Sequence, residues 1–141
     1  SKVFGEALGR LYVDKYGMEM FMIPIGNVNP KPIDKRRLSI WISPRDIAQL
    51  VSLGIDKPGI QFEIVYGISR NKRAWYDNSN AYRLGYQPQD DAETWAEEVL
   101  RNEKPGGNPI AEMYQGGVFC AVEEVPNPAA PLKKARKGRK K

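Results

Sequence analysis

Histidine is absent from the 141 residues of this sequence, and cysteine occurs once, at Cys120. Histidine is the commonest metal ligand and the commonest general base near neutral pH, so we expect neither a metal site nor a Ser-His-Asp triad. A single cysteine excludes an internal disulfide. It is compatible with the reducing cytoplasm, where we expect the protein to act.

Long apolar runs and glycine-rich phosphate loops are also missing. No apolar stretch approaches the roughly 20 residues that cross a bilayer, so we expect no membrane partner. Neither the G-x-G-x-x-G nor the G-x-x-x-x-G-K-[ST] pattern occurs. Residues that could hold a dinucleotide pyrophosphate are therefore not recognisable in this chain.

Positive charge is concentrated at the end of the chain. The last nine residues carry seven basic side chains, and removing these from the net charge of +5 leaves −2. Such a block has nothing to bury and repels itself, so we expect a disordered basic tail over residues 126–141. Phosphate contacts with nucleic acid are possible in principle, but no aromatic side chain is interleaved for base stacking, and we do not expect a nucleic-acid partner.

Hydrophobic spacing predicts helices that alternate with apolar strands. We expect helices over residues 2–16, 43–54, 78–84 and 91–102, with Ser43 and Asp77 as N-caps of the second and third. Strands are expected over residues 20–25 and 62–66, the first buried on both faces as in a parallel sheet, and a further extended segment over 113–122. This order indicates an α/β fold, and two strands are too few for an independent sheet.

A series of short motifs resembles a known superfamily. In order, they are SKxxGE at residues 1–6, PIGNVNP at 24–30, RRLSIWISPRD at 36–46, YGIS at 66–69, WYDNS at 75–79, LGYQPQD at 84–90 and QGG at 115–117. The series resembles the C-terminal part of the extended short-chain dehydrogenase/reductases, the NAD-dependent epimerase/dehydratase superfamily. Within it the chain looks most like the uronate dehydrogenases.

The resemblance implies a Rossmann-like α/β domain over residues 1–125 that lacks its N-terminal dinucleotide-binding half. Lys2 matches the lysine of a Tyr-x-x-x-Lys helix, which binds the nicotinamide ribose of NAD and lowers the pKa of the catalytic tyrosine. That tyrosine would precede Ser1. We therefore expect the isolated chain to be inactive and to need the missing N-terminal half as a partner.

Substrate residues are likewise implied by the resemblance. Arg36 matches the arginine that binds the sugar carboxylate, although the adjacent Arg37 blurs the match. Gly26, Asn27 and Asn29 match a loop that passes the nicotinamide and the substrate. Pro24 and Asn27 stand where uronate dehydrogenases tend to have arginine and serine, which leaves the substrate open.

Three interpretations of function follow from the sequence. The parent protein would oxidise a hexuronic acid to an aldarolactone with NAD, NADP not being excluded. It could instead be a sugar epimerase or dehydratase of the same superfamily, or a non-enzymatic module that contacts nucleic acid through its tail. The apolar positions Phe4, Leu8, Leu11 and Tyr12 share one face of the first helix, and the resemblance implies that this face packs in a homodimer. The alternative is that the face covers the chain's own sheet.

Overall fold

The computed structural model describes residues 2–103 and 107–121. Contacts divide the chain into two units, residues 1–103 and 104–141, which are described separately below. The predicted division at residue 125 stays a prediction. The first unit contains α1 (Lys2–Tyr16), β1 (Met20–Met22), β2 (Asn27–Val28), α2 (Arg37–Ile40), β3 (Trp41–Ile42), α3 (Pro44–Asp56), β4 (Phe62–Ile64), α4 (Ser79–Leu84), a 3₁₀ helix (Ala92–Trp95) and α5 (Ala96–Arg101). The second unit contains α6 (Pro109–Met113) and a 3₁₀ helix (Gly117–Cys120).

Helix α1 has the predicted bounds and packs on β1 through its smallest residue. Gly9 and Val13 are its buried residues. A Cβ added at Gly9 would overlap the side chain of Met22 and lie 3.5 Å from the sulfur of Met20. Glycine at this position therefore lets the helix backbone approach the strand closely, and the helix ends before Gly17, whose φ is 66°.

The strands pair in parallel, as the apolar runs predict. Strand β1 pairs with β4, with Met20 opposite Phe62 and Met22 opposite Ile64. The pairing is extended by a parallel bridge between Ile25 and Gly67. Both strands are shorter than predicted. Residues of β1 are half-buried rather than buried on both faces, because in the described part of the chain this strand has one neighbour.

A second parallel pair joins the loop after β1 to the segment before α3. Asn27 lies opposite Trp41 and Val28 opposite Ile42. Two apolar clusters lie beside these strands. The first contains Leu38, Trp41, Ala92, Ala96 and Val99, and the second contains Ile42, Leu50, Val65, Ala81 and Tyr86.

Helix α3 begins as predicted but does not end at Gly54. The Ser43 hydroxyl accepts the N–H of Asp46 at 3.0 Å, and Pro44 occupies the first helical position. The helix continues through Gly54 to Asp56. The prediction of a stop was wrong because this glycine provides space for packing: a Cβ there would lie 2.7 Å from Cγ of Phe21.

Two further helices differ from the prediction. Helix α4 begins at Ser79, with Asn78 at the N-cap position but without a side-chain cap bond. Asp77, the predicted cap, does accept the N–H of Ser79 at 2.9 Å, so its side chain caps the first turn from one residue further out. The helix predicted over residues 91–102 is divided into a 3₁₀ turn and α5.

The prediction of an extended segment over residues 113–122 was wrong for the residues that the structure describes, which end at residue 121. The end of α6 and a 3₁₀ helix lie here instead. Asn108 caps α6 by accepting the N–H groups of Ile110 and Ala111 at 2.9 and 3.3 Å, and Pro109 follows at the first helical position. The 3₁₀ helix then begins at Gly117, whose φ is 60°. This Asn-Pro helix start was the signal that the sequence reading missed.

The predicted basic tail, residues 126–141, lies outside the described residues and stays a prediction. Among the helices that the structure describes, none combines the length and the hydropathy needed to cross a membrane.

Replacing Gly54 with alanine tests the contact between α3 and β1. We expect Gly54→Ala to destabilise the fold by about 1–3 kcal/mol, because its methyl group meets the Phe21 ring. In a Phe21→Ala background the same change should cost less, since the ring atoms that oppose the methyl group are gone. Urea denaturation of the four proteins of this cycle measures the coupling. Equal costs in both backgrounds would contradict the packing explanation.

Candidate substrate-side site

The predicted loop residues Gly26, Asn27 and Asn29 lie at one edge of the parallel sheet. Because β1 and β4 run in the same direction, the segments that follow them leave the sheet on the same side. The loop at residues 26–29 follows β1, and Ile68 and Ser69 follow β4. Ligands of open parallel sheets bind at this edge, which makes it the candidate site.

Gly26 allows the loop to lie directly against α2. A Cβ at this position would overlap the carbonyl oxygen of Ile40 and lie 2.9 Å from the Ile40 Cβ. Its N–H donates to the carbonyl of Gly67 at 3.3 Å. The structure thus gives Gly26 a packing role, and its predicted contact with the cofactor stays a prediction.

Asn27 and Asn29 form a side-chain pair within the loop. The amide nitrogen of Asn29 donates to Oδ1 of Asn27 at 2.8 Å, and the Asn29 carbonyl accepts the indole N–H of Trp41 at 2.8 Å. Both asparagines are half-buried. No acceptor for the Asn27 side-chain nitrogen occurs among residues 2–103, so this donor is available to a ligand.

Arg36 and Arg37, which the sequence could not separate, have different surroundings. Arg37 is paired with Asp34, at 2.5 Å between Nη1 and Oδ2, and its own N–H also donates to that carboxylate. The guanidinium carbon of Arg36 instead lies 5.1 Å from the ring centroid of Trp75. No carboxylate pairs with Arg36 in the first unit. Arg36 therefore keeps its charge available to an anion, while Arg37 is used structurally.

Lys2 is exposed at the beginning of α1, and among the described residues no ion pair joins its side chain to the loop. Helix α1 leads into β1 and packs along it, so the two run in opposite directions. The helix N-terminus therefore points towards the carboxyl end of β1. Gly9 lies at the level of Met22, and seven helical residues place Lys2 about 10 Å further along. Lys2 is on the correct side of the sheet but is not brought together with Arg36 or the asparagines.

A buried carboxylate behind the site was missed by the sequence reading. Asp46 is fully buried. It accepts the hydroxyl of Ser69 at 2.6 Å and the N–H groups of Gln89 and Asp90 at 2.9 and 3.1 Å. These bonds satisfy the buried carboxyl oxygens and fix the segment that follows β4. The sequence signalled Asp46 only as an acidic residue in a first helical turn.

Asp90 extends this network to the surface. It accepts the Ser43 hydroxyl at 2.6 Å and the Arg45 guanidinium at 2.5 Å. The hydrogen bond from Ser43 lowers the pKa of Asp90, and Arg45 adds to the effect against the opposing influence of desolvation. Asp90 is therefore held ionised as a structural group.

The aromatic residues near the site have unequal roles. Tyr86 is buried, and its hydroxyl donates to the Ile68 carbonyl at 2.9 Å. Burial raises the pKa of Tyr86, so it stays protonated and does not serve as a proton acceptor. Trp75 is 43% exposed and contacts Arg36, which the sequence reading did not foresee.

Uronate dehydrogenases are among the known proteins that are similar to this chain. No protein-family model matches the chain. A uronate dehydrogenase of Pseudomonas putida is 40% identical over 122 residues, which are 86% of this chain and 46% of that protein. The crystal structure of a glucuronic acid dehydrogenase from Chromohalobacter salexigens superposes with a TM-score of 0.80 at 38% identity, over 86% of this chain and 46% of that one.

A third similar protein is described with a cofactor. It is a tyrosine-to-alanine variant of uronate dehydrogenase from Agrobacterium tumefaciens in complex with NAD, which matches with a TM-score of 0.80 and 36% identity over 85% of this chain and 46% of that one. This chain thus spans about half the length of the relatives it matches.

The bond between Ser43 and Asp90 predicts a pH dependence. A carboxyl group whose folded pKa is depressed stabilises the fold above its ordinary pKa of 3.8, and this contribution is lost as the pH falls through the folded value. In Ser43→Ala the pKa of Asp90 should rise towards 3.8. The variant should therefore have a lower free energy of unfolding than the original protein at neutral pH. This difference should become smaller as the pH falls, and in acid only about 1 kcal/mol should remain, from the lost helix cap.

NMR titration of the Asp90 carboxyl carbon, together with urea denaturation at several pH values, measures both effects. Arg45→Ala is the matched control, because it removes the second partner but keeps the cap. An unchanged Asp90 pKa and a constant stability gap in Ser43→Ala would refute this assignment.

Proposed function

We propose that this chain, which belongs to the extended short-chain dehydrogenase/reductases and is most like the uronate dehydrogenases, forms the substrate side of an NAD-dependent enzyme. The reaction is oxidation of the anomeric carbon of a hexuronic acid to give an aldarolactone. The dinucleotide-binding half and the proton-accepting tyrosine belong to the part of the relatives that this chain does not match. The domain at residues 1–125 is the C-terminal part of that Rossmann-like fold.

The observation that supports this function best is that Arg36 forms no ion pair within the first unit. Its guanidinium rests on the indole of Trp75 instead of a carboxylate. Trp75 in turn contacts Tyr76, which stacks on Tyr66, just after β4. A guanidinium offers two parallel N–H donors that fit a carboxylate. A hexuronic acid differs from a neutral aldose by one carboxylate, so Arg36 is the residue that selects the acid.

The loop residues suit the nicotinamide end of NAD and the sugar. The side-chain nitrogen of Asn27 is available as a donor. The side-chain oxygen of the same amide accepts a hydrogen bond from Asn29, which fixes its orientation. Asn27 and Asn29 therefore bind the nicotinamide side and the sugar hydroxyls, while Gly26 lets the loop pass close to both. NAD, when bound, supplies the acceptor for the substrate hydride.

Lys2 supports proton removal indirectly. Its ammonium group binds the nicotinamide ribose, and its positive charge favours the ionised form of the tyrosine that takes the hydroxyl proton. In this chain Arg36, Asn27 and Asn29 orient the substrate, and Lys2 adjusts the pKa of a group on the other half. The cytoplasm remains the predicted location.

A homodimer is the second part of the proposal. Phe4 and Leu11 of α1 are 69% and 54% exposed, and Leu8 and Tyr12 are also exposed on this helix. The helix covers its own sheet with Gly9 and Val13 instead. The exposed apolar residues are therefore available to pack against the same helix of a second subunit.

Substitution of Arg36 tests the substrate. In the full-length protein that carries this chain, Arg36→Ala should raise KM for glucuronate or galacturonate about 10- to 100-fold, because a charge-assisted pair is lost. Oxidation of neutral aldoses such as glucose and galactose should not weaken. NADH formation measures both. Arg37→Ala is the matched control and should reduce stability without changing KM. Absence of NAD reduction with every hexuronate would contradict the proposed function.

Introducing negative charge on the exposed apolar face of α1 tests whether this face forms the dimer interface. The double variant Phe4→Glu, Leu11→Glu should sediment as a monomer at concentrations where the original protein is dimeric, because two carboxylates would be buried in each half of the interface. Val3→Glu is the control and should remain dimeric, because Val3 is exposed on the same helix but lies about 100° around it from Phe4. A monomeric original protein would refute this part.

A further inference from the structure

We propose that Trp75 is a positioning residue for the substrate carboxylate: its indole face holds the Arg36 guanidinium in the binding orientation without neutralising it. This inference rests on the proposed function, because it assigns Arg36 to the substrate. It adds a specificity determinant that acts through Arg36 and does not itself touch the substrate.

The contact differs from the way in which five of the seven other arginines of the first unit are held. Arg10, Arg37, Arg45, Arg73 and Arg101 each form an ion pair with a carboxylate. Such a pair occupies N–H donors and cancels charge. An aromatic face attracts the guanidinium through its quadrupole and leaves the edge donors and the net charge available. The Trp75 contact is therefore the kind of support that an anion-binding arginine requires.

Trp75 is itself anchored to the sheet by a row of aromatic contacts. Its ring meets Tyr76 edge-on with centroids 6.4 Å apart, and Tyr76 stacks on Tyr66 at 4.3 Å. Tyr66 follows β4 and is held at both backbone polar groups by the side-chain amide of Asn78, each bond being 2.9 Å. The indole thus belongs to a fixed assembly at the carboxyl end of the sheet, even though its outer face is exposed.

Arg36 is fixed on the opposite side of the contact. Its carbonyl accepts the N–H of Ser39 at 3.1 Å, which anchors it to the first turn of α2. Asn71 joins the two sides. Its side chain donates to the Trp41 carbonyl at 2.7 Å, just after α2, and its own carbonyl accepts the N–H of Ala74 at 3.0 Å, just before Trp75. With both backbones fixed, the remaining freedom lies in the long Arg36 side chain, and the indole restricts it.

Loss of the indole should therefore weaken binding of acids only. A flexible guanidinium must be ordered when it binds, and this ordering opposes affinity. A contact of this kind contributes about 0.5–2 kcal/mol, which corresponds to a rise in KM of about 2- to 30-fold. Neutral aldoses make no use of the Arg36 charge and should be unaffected.

The experiment is a double-mutant cycle in the full-length protein. Trp75→Leu should raise KM for glucuronate about 2- to 30-fold with little change in kcat, and Trp75→Phe should keep most of the affinity because it retains an aromatic face. In an Arg36→Ala background Trp75→Leu should have no further effect. Tyr16→Leu is the matched control, because its exposed ring also carries a cation, Lys15 at 5.2 Å, but lies at the end of α1 that precedes β1. It should leave KM unchanged.

Binding measured without turnover separates the two hypotheses. The Arg36 Nε–H resonance should shift on titration with glucuronate, with weaker affinity in Trp75→Leu. Absence of any glucuronate-dependent shift or NAD reduction in the original protein would refute the proposed function, and with it this inference. Hexuronate oxidation that needs Arg36 but is indifferent to Trp75→Leu, or an equal effect of Trp75→Leu with and without Arg36, would overturn the role of Trp75 alone.

Discussion

Parallel pairing of β1 with β4 is the constraint on which the site depends. It sends the chain out of both strands at the same edge, where the loop of Gly26, Asn27 and Asn29 meets the segment that carries Ser69. Close approach of α1 at Gly9, which meets Met20 and Met22, and of α3 at Gly54, which meets Phe21, holds β1 from its two opposite faces. Because packing at these glycines leaves no space for a methyl group without rearrangement, the positions of the loops are set by the contact of helix backbone with sheet.

Buried polar side chains bond backbone groups that neighbouring strands would bond in a larger sheet. The Asn78 amide bonds both backbone groups of Tyr66, as a neighbouring strand would. Asp46 and Asn71 similarly accept or donate to backbone groups of distant segments. Each group is buried and satisfied, which makes the network specific as well as stabilising. It ties the aromatic row and α2 together, so that Arg36 and Trp75 lie on supports that are joined by Asn71.

Much of the architecture could be predicted from local pattern, and the site only in part. Helix α1, the Ser43 cap and the parallel strands follow from spacing and capping rules, because neighbouring residues determine them. The second partner of Ser43, Asp90, is 47 residues away and has no local signature. Gly54 was read as a helix stop since sequence alone does not show that Phe21 packs against it. Arg36 and Arg37 are indistinguishable in sequence, and only their neighbours, Trp75 and Asp34, separate them.

The central claim is that Arg36, supported by an indole and unpaired with any carboxylate of the first unit, is the receptor for the acid group of a sugar. A crystal structure of the full-length protein with a bound hexuronate tests this most directly. The account predicts the Arg36 guanidinium within about 3 Å of both carboxylate oxygens, with the Trp75 ring against its face. A carboxylate bound by other residues, with Arg36 turned towards solvent, would contradict it.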